Sequence, residues 1–286
     1  MLCTIKMGVY AMSYWSAILM GIVQGLTEFL PLSSSGHLTI LDNLFGLNLM
    51  EEGHALFFVL LHIGTLLSIL IAYWEDISRI ILESLTLLGL SAGPKQSRYP
   101  AARVGLMLLI STLPLFLLLP LRRQINALAE NNYFVAISLI LTGCMLVLIG
   151  KMTEGKKIGS TMTVFDALLI GICQLVSALP GISRVGTTLT AGVSLGLRKE
   201  FAANYALLLS IPALLGSQLL GLVDALNAGV ELGAVPMYLA GMATAMLVGL
   251  GAIMLLRLAA KRGKFGGFAY YCWVAGVLTI ILTLIF

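Results

Sequence analysis

Two apolar stretches of this chain break in the middle, each at a loop bearing serine and glycine. The first, Gly21–His37, reads GIVQGLTEFLPLSSSGH, and the second, Gly171–Thr188, reads GICQLVSALPGISRVGTT. At an offset of 150 positions Gly21/Gly171, Ile22/Ile172, Gln24/Gln174, Ser33/Ser183 and Gly36/Gly186 coincide. The chain therefore reads as two copies of one unit, each carrying a polar interruption inside apolar sequence. The solvent is set by composition: 59% hydrophobic, 10% charged, mean hydropathy +1.01. A soluble domain carries about 25% charged residues, so an all-α polytopic membrane protein is expected, a single membrane domain with repeat one at about 13–150 and repeat two at about 163–286. In lipid, non-helical backbone is tolerated only where protein buries it or water reaches it. A matched pair of interrupted segments then points to a binding site near the membrane midplane.

Six stretches are long and apolar enough to cross with some tilt: Ala55–Tyr73, Ala101–Leu121, Tyr133–Gly150, Phe201–Val223, Val235–Leu256 and Phe268–Phe286. Three lie in each half. Tyr14–Leu30 and Val164–Leu179 run into proline and then the polar loops, and the helices expected after them, Gly36–Phe45 and Gly186–Leu197, are too short to span. Each pair reads as a re-entrant hairpin that returns to its own side. Ile77–Leu90 reads as an interfacial or extra helix, followed by a loop at Ser91–Pro100. Three crossings plus a non-crossing hairpin give an odd count, so the second repeat is inverted relative to the first.

Charge placement tests that topology. Arg79, Lys95, Arg98, Arg103, Lys151, Lys156, Lys157, Arg198, Lys199, Arg257, Lys261, Arg262 and Lys264 fall on one side, and only Lys6, Arg122 and Arg123 on the other. Positive residues stay inside, so both termini and the mouth of the first hairpin are expected outside, the second hairpin enters from the cytoplasm, and their tips meet within the protein. No A-x-A site follows the first apolar run, and a removed signal peptide is not expected. Cys3, Cys144, Cys173 and Cys272 are scattered without a CxxC and read as small core residues. Nothing resembles a basic nucleic-acid patch, so no nucleic-acid partner is expected; the partners are bilayer lipids and a phosphorylated ligand, with a homodimer left open.

The interrupted loops carry the chemistry. Glu28 follows Gln24 by four residues, on one helix face. A carboxylate at membrane depth is a functional-site candidate with a metal or cation partner, and the alternative is a helix-end carboxylate reaching water. Ser33, Ser34, Ser35, Gly36 and His37 put three hydroxyls and an imidazole before a short helix, whose free N–H groups favour an anion such as phosphate. Serine is also a good N-cap; the adjoining His37, able to act as acid, base or nucleophile, favours the functional reading. Arg184 is the one Lys or Arg inside a hairpin, and its fork suits either Glu28 or a bound phosphate. Gly181 and Gly186 let backbone approach a ligand, and Thr187 and Thr188 are expected to cap the next helix. The inventory suits a pyrophosphate with a divalent cation, magnesium or calcium. His62 reads as a hydrogen-bonded core histidine, and His54 as solvated at a helix entrance.

These residues resemble the undecaprenyl pyrophosphate phosphatase, or bacitracin-resistance, family. Gln24–His37 is similar to its motif E-G-x-T-E-F-x-P-[IV]-S-S-[ST]-G-H, and Pro180–Thr188 to P-G-x-S-R-S-G-x-T. Phe57–Thr65 and Tyr205–Pro212 resemble F-E-V-V-L-H-L-G-T and F-S-F-L-L-A-I-P, so the likeness runs the length of the chain. The resemblance implies inverted repeats in a bacterial inner membrane and removal of the terminal phosphate from a polyprenyl pyrophosphate, which recycles a lipid carrier for cell-wall synthesis. It implies Glu28, Ser34, His37 and Arg184 as catalytic, with Ser34 and His37 sharing the nucleophile and acid–base roles in either order. It implies Ser183, Arg184 and Thr188 gripping the phosphates and Glu28 helping to hold a divalent cation; from the loops themselves Ser33, Ser35, Gly36, Gly186 and Thr187 are added around the phosphates, and Gln24 beside Glu28 toward the metal. Four positions depart from the pattern: Gln24 and Asn204 replace glutamates, Phe58 an acid and Val185 a serine. Gln24 still offers an oxygen, so the departure leaves two outcomes open, weaker metal binding or no catalysis. A flippase or transporter of polyprenyl phosphate is the alternative, since inverted repeats and broken helices are also transporter architecture. An ion channel fits less, because no acidic ring is present.

Overall fold

The computed structural model describes residues 13–45, 54–90, 100–229 and 232–285. Cys3, Lys6, Lys95, Arg98 and the loop expected at 91–99 lie outside the described residues. Regular structure among the described residues is helical, with one isolated parallel bridge between Lys157 and Leu197. In order come α1 (Tyr14–Phe29), α2 (Ser34–Phe45), α3 (Ala55–Ala72), α4 (Trp74–Leu87), α5 (Pro100–Thr112), α6 (Arg122–Ala127), α7 (Asn132–Lys151), α8 (Val164–Val176), α9 (Arg184–Ser194), α10 (Lys199–Ala228), α11 (Val235–Arg262) and α12 (Gly266–Ile285). Six helical stretches are long and apolar enough to cross a bilayer: Ala55–Ala72, Pro100–Glu130, Asn132–Lys151, Lys199–Asn227, Leu232–Arg262 and Gly266–Ile285. The chain is an all-α, multi-pass membrane protein.

Local sequence explains the irregular parts. Pro114 and Pro120 lack an amide donor, and α5 continues as a tightened 3-10 stretch over Leu113–Leu121. α4 begins at Trp74, three residues ahead of the expected Ile77. None of its residues is buried, and Trp74, Ile81, Leu82 and Leu87 stand exposed, as an interfacial helix requires. α8 opens with a capping box between Thr163 and Asp166. Lys157 Nζ lies 2.8 Å from Asp166, tying the preceding loop to the start of the second hairpin.

Helices in lipid associate through close packing and interhelical hydrogen bonds, because lipid tails already solvate apolar side chains. α1 lies on α11, α8 on α5, α3 on α10 and α7 on α12. Each hairpin thus leans on the second long helix of the opposite half. Small residues permit the approach: a Cβ added at Gly25 would sit 2.7 Å from the Ala245 carbonyl oxygen. Ser68 Oγ donates to the Met246 carbonyl at 2.7 Å, Ser111 Oγ to that of Ala167 at 2.6 Å and Trp273 Nε1 to that of Ile140 at 3.2 Å. Leu109, Phe116, Leu219, Leu247 and Met254 are exposed, as a lipid-facing surface demands. Beneath the hairpin tips Phe29, Leu32, Val185, Leu189, Tyr205 and Cys272 share one buried core.

Gly25→Val is expected to overpack the α1–α11 contact and to destabilise by about 1–3 kcal/mol, a fall in melting temperature of about 3–10 °C. Gly251, with open space where a Cβ would stand, is the control: Gly251→Ala should leave the melt unchanged or raise it. Thermal unfolding in detergent, read by size-exclusion profile, checks both.

Candidate active site

The two hairpins end in opposite charges. In the first, Gln24 and Glu28 lie one turn apart on the buried face of α1. The chain leaves the helix at Leu30 and turns at Ser33, whose φ of +75° is left-handed, a strained conformation for a residue with a Cβ. The Ser33 hydroxyl accepts from the Gly36 amide at 3.3 Å, and α2 begins at Ser34. In the second hairpin α8 stops at Val176, and Gly181 takes φ +92°. Ser183 caps α9, accepting from the Gly186 amide at 3.1 Å. Both short helices start earlier than expected, so Ser34 and Arg184 are first-turn residues, and Ser183 rather than Thr187 or Thr188 is the cap.

The tips touch. A Cβ on Gly36 would lie 2.8 Å from the Gly181 Cα, and one on Gly186 would lie 3.5 Å from Pro31. α7 braces them: Thr142 Oγ1 donates to the Gly181 carbonyl at 3.1 Å and accepts from the Ser183 amide at 3.1 Å. These bonds satisfy backbone that no helix satisfies, the condition for irregular chain at this depth.

Glu28 is the centre of the site and is 8% exposed. Its Oε2 accepts from Ser34 Oγ at 2.5 Å and from Gln24 Nε2 at 3.1 Å. Arg184 crosses from the other hairpin to stand 3.6 Å from Oε1. His62, from α3, places Nε2 3.9 Å from Oε2 while Nδ1 donates to the Phe58 carbonyl at 2.8 Å. Two buried atoms beside the carboxylate have no hydrogen-bond partner among the described residues: Gln24 Oε1, an acceptor, and Arg184 Nη1, a donor whose sole contact of this kind there is the 3.6 Å ion pair with Glu28. Leaving such groups unmet costs about 1–3 kcal/mol each. A ligand with anionic oxygens for Arg184 and an electropositive centre for Gln24 Oε1 satisfies both, which suits a phosphate with a cation. Among the described residues no group of three or more His, Cys, Asp or Glu side chains is placed to hold a metal.

The remaining expected residues fall around this centre in different ways. His37 Nδ1 lies 2.7 Å from the Ser33 carbonyl and Nε2 lies 2.9 Å from the Tyr271 hydroxyl, with the two rings stacked. A carbonyl only accepts, so Nδ1 carries the proton and the Tyr271 hydroxyl donates to Nε2 of the neutral ring. Thr187 Oγ1 donates to the Ser183 carbonyl at 2.8 Å, and Thr188 Oγ1 to that of Arg184 at 2.9 Å, so these hydroxyl protons are spent within α9. Ser35 is exposed, 3.4 Å from the Ser33 hydroxyl. Gln174, the counterpart of Gln24, is fully buried with its amide atoms unpartnered, but the residue matching Glu28 is Ala178. Only one hairpin carries the carboxylate.

Two expectations are corrected. His62 keeps the expected hydrogen bond, to the Phe58 carbonyl, but stands beside Glu28, a place that an imidazole inside a crossing already signalled. His54 bonds the Tyr238 hydroxyl through Nδ1 at 2.7 Å rather than water alone. Thr142 and Tyr271 carried no local signal: a threonine in a crossing and a tyrosine near a crossing's end are ordinary there.

Residues 17–278 match the family model described as Bacitracin resistance protein BacA. The chain is 37% identical over 279 residues to the undecaprenyl-diphosphatase of Methanosphaera stadtmanae, covering 94% of this chain and 98% of the relative. It is 35% identical to that of Alkaliphilus metalliredigens, covering 96% and 100%, and 38% identical to that of Methanobrevibacter smithii, covering 93% and 96%.

Thr142→Val removes a hydroxyl that serves two buried backbone groups and is expected to destabilise by about 2–4 kcal/mol. Thr142→Ser, which keeps the hydroxyl, should lose less than half as much. Equilibrium unfolding in detergent micelles measures the difference.

Proposed function

The chain belongs to the bacitracin resistance protein family, and from that membership and the geometry of the tips we propose that it is an integral membrane phosphatase acting on undecaprenyl diphosphate. It releases inorganic phosphate and leaves the monophosphate carrier. The observation that carries the reading is the 2.5 Å hydrogen bond from Ser34 Oγ to a buried carboxylate, with a guanidinium from the opposite hairpin 3.6 Å from the same group.

Ser34 is the nucleophile in this reading and Glu28 its base. Both nitrogens of His37 already meet protein partners, so His37 holds α2 in place beside Tyr271. As the Ser34 Oγ–phosphorus bond forms, its proton passes to Glu28. The bond from phosphorus to the bridging oxygen breaks, and the lipid monophosphate leaves with that electron pair. Water then attacks the phosphoserine, Glu28 returns its proton to the departing Ser34 oxygen, and inorganic phosphate is freed. Arg184 turns from Glu28 to the phosphate oxygens, where a bidentate fork opposes the charge that develops. The N-terminus of α9 and the Ser183 and Gly186 backbone flank the same phosphates. Gln24 Oε1 and the Glu28 carboxylate are the oxygens that would hold a divalent cation, which when bound neutralises phosphate charge.

The two halves are read as inverted repeats, with the mouth of the first hairpin and both termini on the outer face. The one-sided distribution of lysine and arginine supports that orientation.

Phosphate release from undecaprenyl diphosphate by purified protein in detergent tests the reading, with magnesium, calcium or manganese and with chelator. Metal-dependent release is expected, reduced about a hundredfold or more in Arg184→Ala and about a thousandfold or more in Ser34→Ala. Gln24→Glu should raise the magnesium-supported rate. No release by folded wild-type protein across cations and pH would sink the phosphatase, and lipid transport in proteoliposomes would take its place.

A further inference from the structure

We propose that His62 supplies a nitrogen ligand to the divalent cation of this site, so that the site prefers a transition-series ion such as manganese to magnesium or calcium. The inference rests on the cation-assisted reading above. It starts from the tautomer. His62 Nδ1 lies 2.8 Å from the Phe58 carbonyl, which can only accept, so Nδ1 bears the hydrogen and Nε2 is the ring nitrogen that can offer a lone pair to a metal ion. Metal-binding histidines are held in this way, with the second ring nitrogen donating to a backbone carbonyl or a carboxylate.

Nε2 faces Glu28 Oε2 at 3.9 Å, beyond hydrogen-bond reach. Besides facing this gap, Oε2 accepts from Ser34 Oγ and Gln24 Nε2. With ligand distances of about 2.0–2.2 Å to nitrogen and oxygen, a single ion can bridge such a gap. Gln24 completes the set. Its Nε2 donates to Glu28 Oε2 at 3.1 Å, which orients the amide, because the flipped amide would set oxygen against carboxylate. Oε1 is therefore the buried atom left without a donor. Thr65 braces the far side, its hydroxyl donating to the His62 carbonyl at 2.9 Å and lying 3.5 Å from Gln24 Nε2. Arg184 stands at Oε1 of Glu28, while Ser34 and Gln24 donate to Oε2, the oxygen that faces His62.

The donor set is one carboxylate, one amide oxygen and one imidazole. Magnesium and calcium are hard ions that favour all-oxygen shells. Imidazole raises affinity along the series from manganese to zinc. A site with a single carboxylate and a nitrogen donor is therefore biased away from the two hard ions.

The test uses untagged full-length protein in detergent, stripped by chelator and loaded with manganese in the presence of inorganic phosphate. Pulsed electron paramagnetic resonance reads whether imidazole nitrogen couples to the bound ion, and replacing the protein's histidines with their ¹⁵N-labelled form must change that coupling without any substitution. Competition binding reads the preference. Expected are a histidine nitrogen coupling in the wild type, manganese bound at least about tenfold tighter than magnesium, and a loss of manganese affinity of about 10–100-fold with loss of the coupling in His62→Gln. The ¹⁵N experiment on wild-type protein keeps the inference testable should that variant not fold. Manganese bound without nitrogen coupling overturns the assignment of His62 and leaves cation-assisted hydrolysis standing. No manganese, magnesium or calcium bound by folded protein overturns the cation reading itself and this inference with it.

Discussion

Backbone polar groups have no partner in hydrocarbon, and the whole arrangement depends on meeting that constraint at two broken hairpins. The turns at Leu30–Ser33 and Ser177–Ser183 leave amides and carbonyls that no helix pairs. Part of each tip is satisfied locally, the Gly36 and Gly186 amides by the serine three residues before them, and the second tip is also met from outside, its Gly181 carbonyl and Ser183 amide by Thr142. Glycine at 36 and 181 then lets the two turns lie against each other, so protein rather than lipid covers them. The hairpins can stop short because they stop against one another.

Once the tips meet, electrostatics decides what the meeting place is. A buried carboxylate is strongly disfavoured unless partnered. Glu28 is given a hydroxyl, an amide, a guanidinium and an imidazole by three different segments. The two hairpins differ at the positions that make this possible. One hairpin holds the carboxylate where the other has Ala178, and the other holds Arg184 where the first has Ser34. Two like-charged tips would repel, whereas this pair attracts and still leaves a donor and an acceptor unmet for a charged ligand.

The two halves are also interlocked by how the long helices pack. α1 is carried by α11 and α8 by α5, while α7 and α12 form a seam between halves. A displacement of one half therefore moves the hairpin of the other, so the carboxylate and the guanidinium are placed by a shared framework rather than by their own loops. Tyr271, on the last helix, reaches His37 on the second, one more tie across that seam.

Much of this was legible in the chain itself, for a physical reason. Lipid demands long apolar runs, so the six crossings announce themselves. It also forbids unpaired backbone, so the two breaks mark where protein must enclose it. The four-residue spacing of Gln24 and Glu28 placed them together because a helix repeats every 3.6 residues, and a lone arginine in apolar sequence had to find an anion. The contributions of Thr142 and Tyr271 were decided by tertiary structure alone, and so was the neighbour of His62, although its imidazole inside a crossing was a signal. Each sits on a regular helix whose local pattern is satisfied without it, and its partner lies 34 to 234 residues away along the chain. Periodicity tells which face of a helix is buried but not which neighbour it meets, and the chemistry of this site lies in that choice of neighbour.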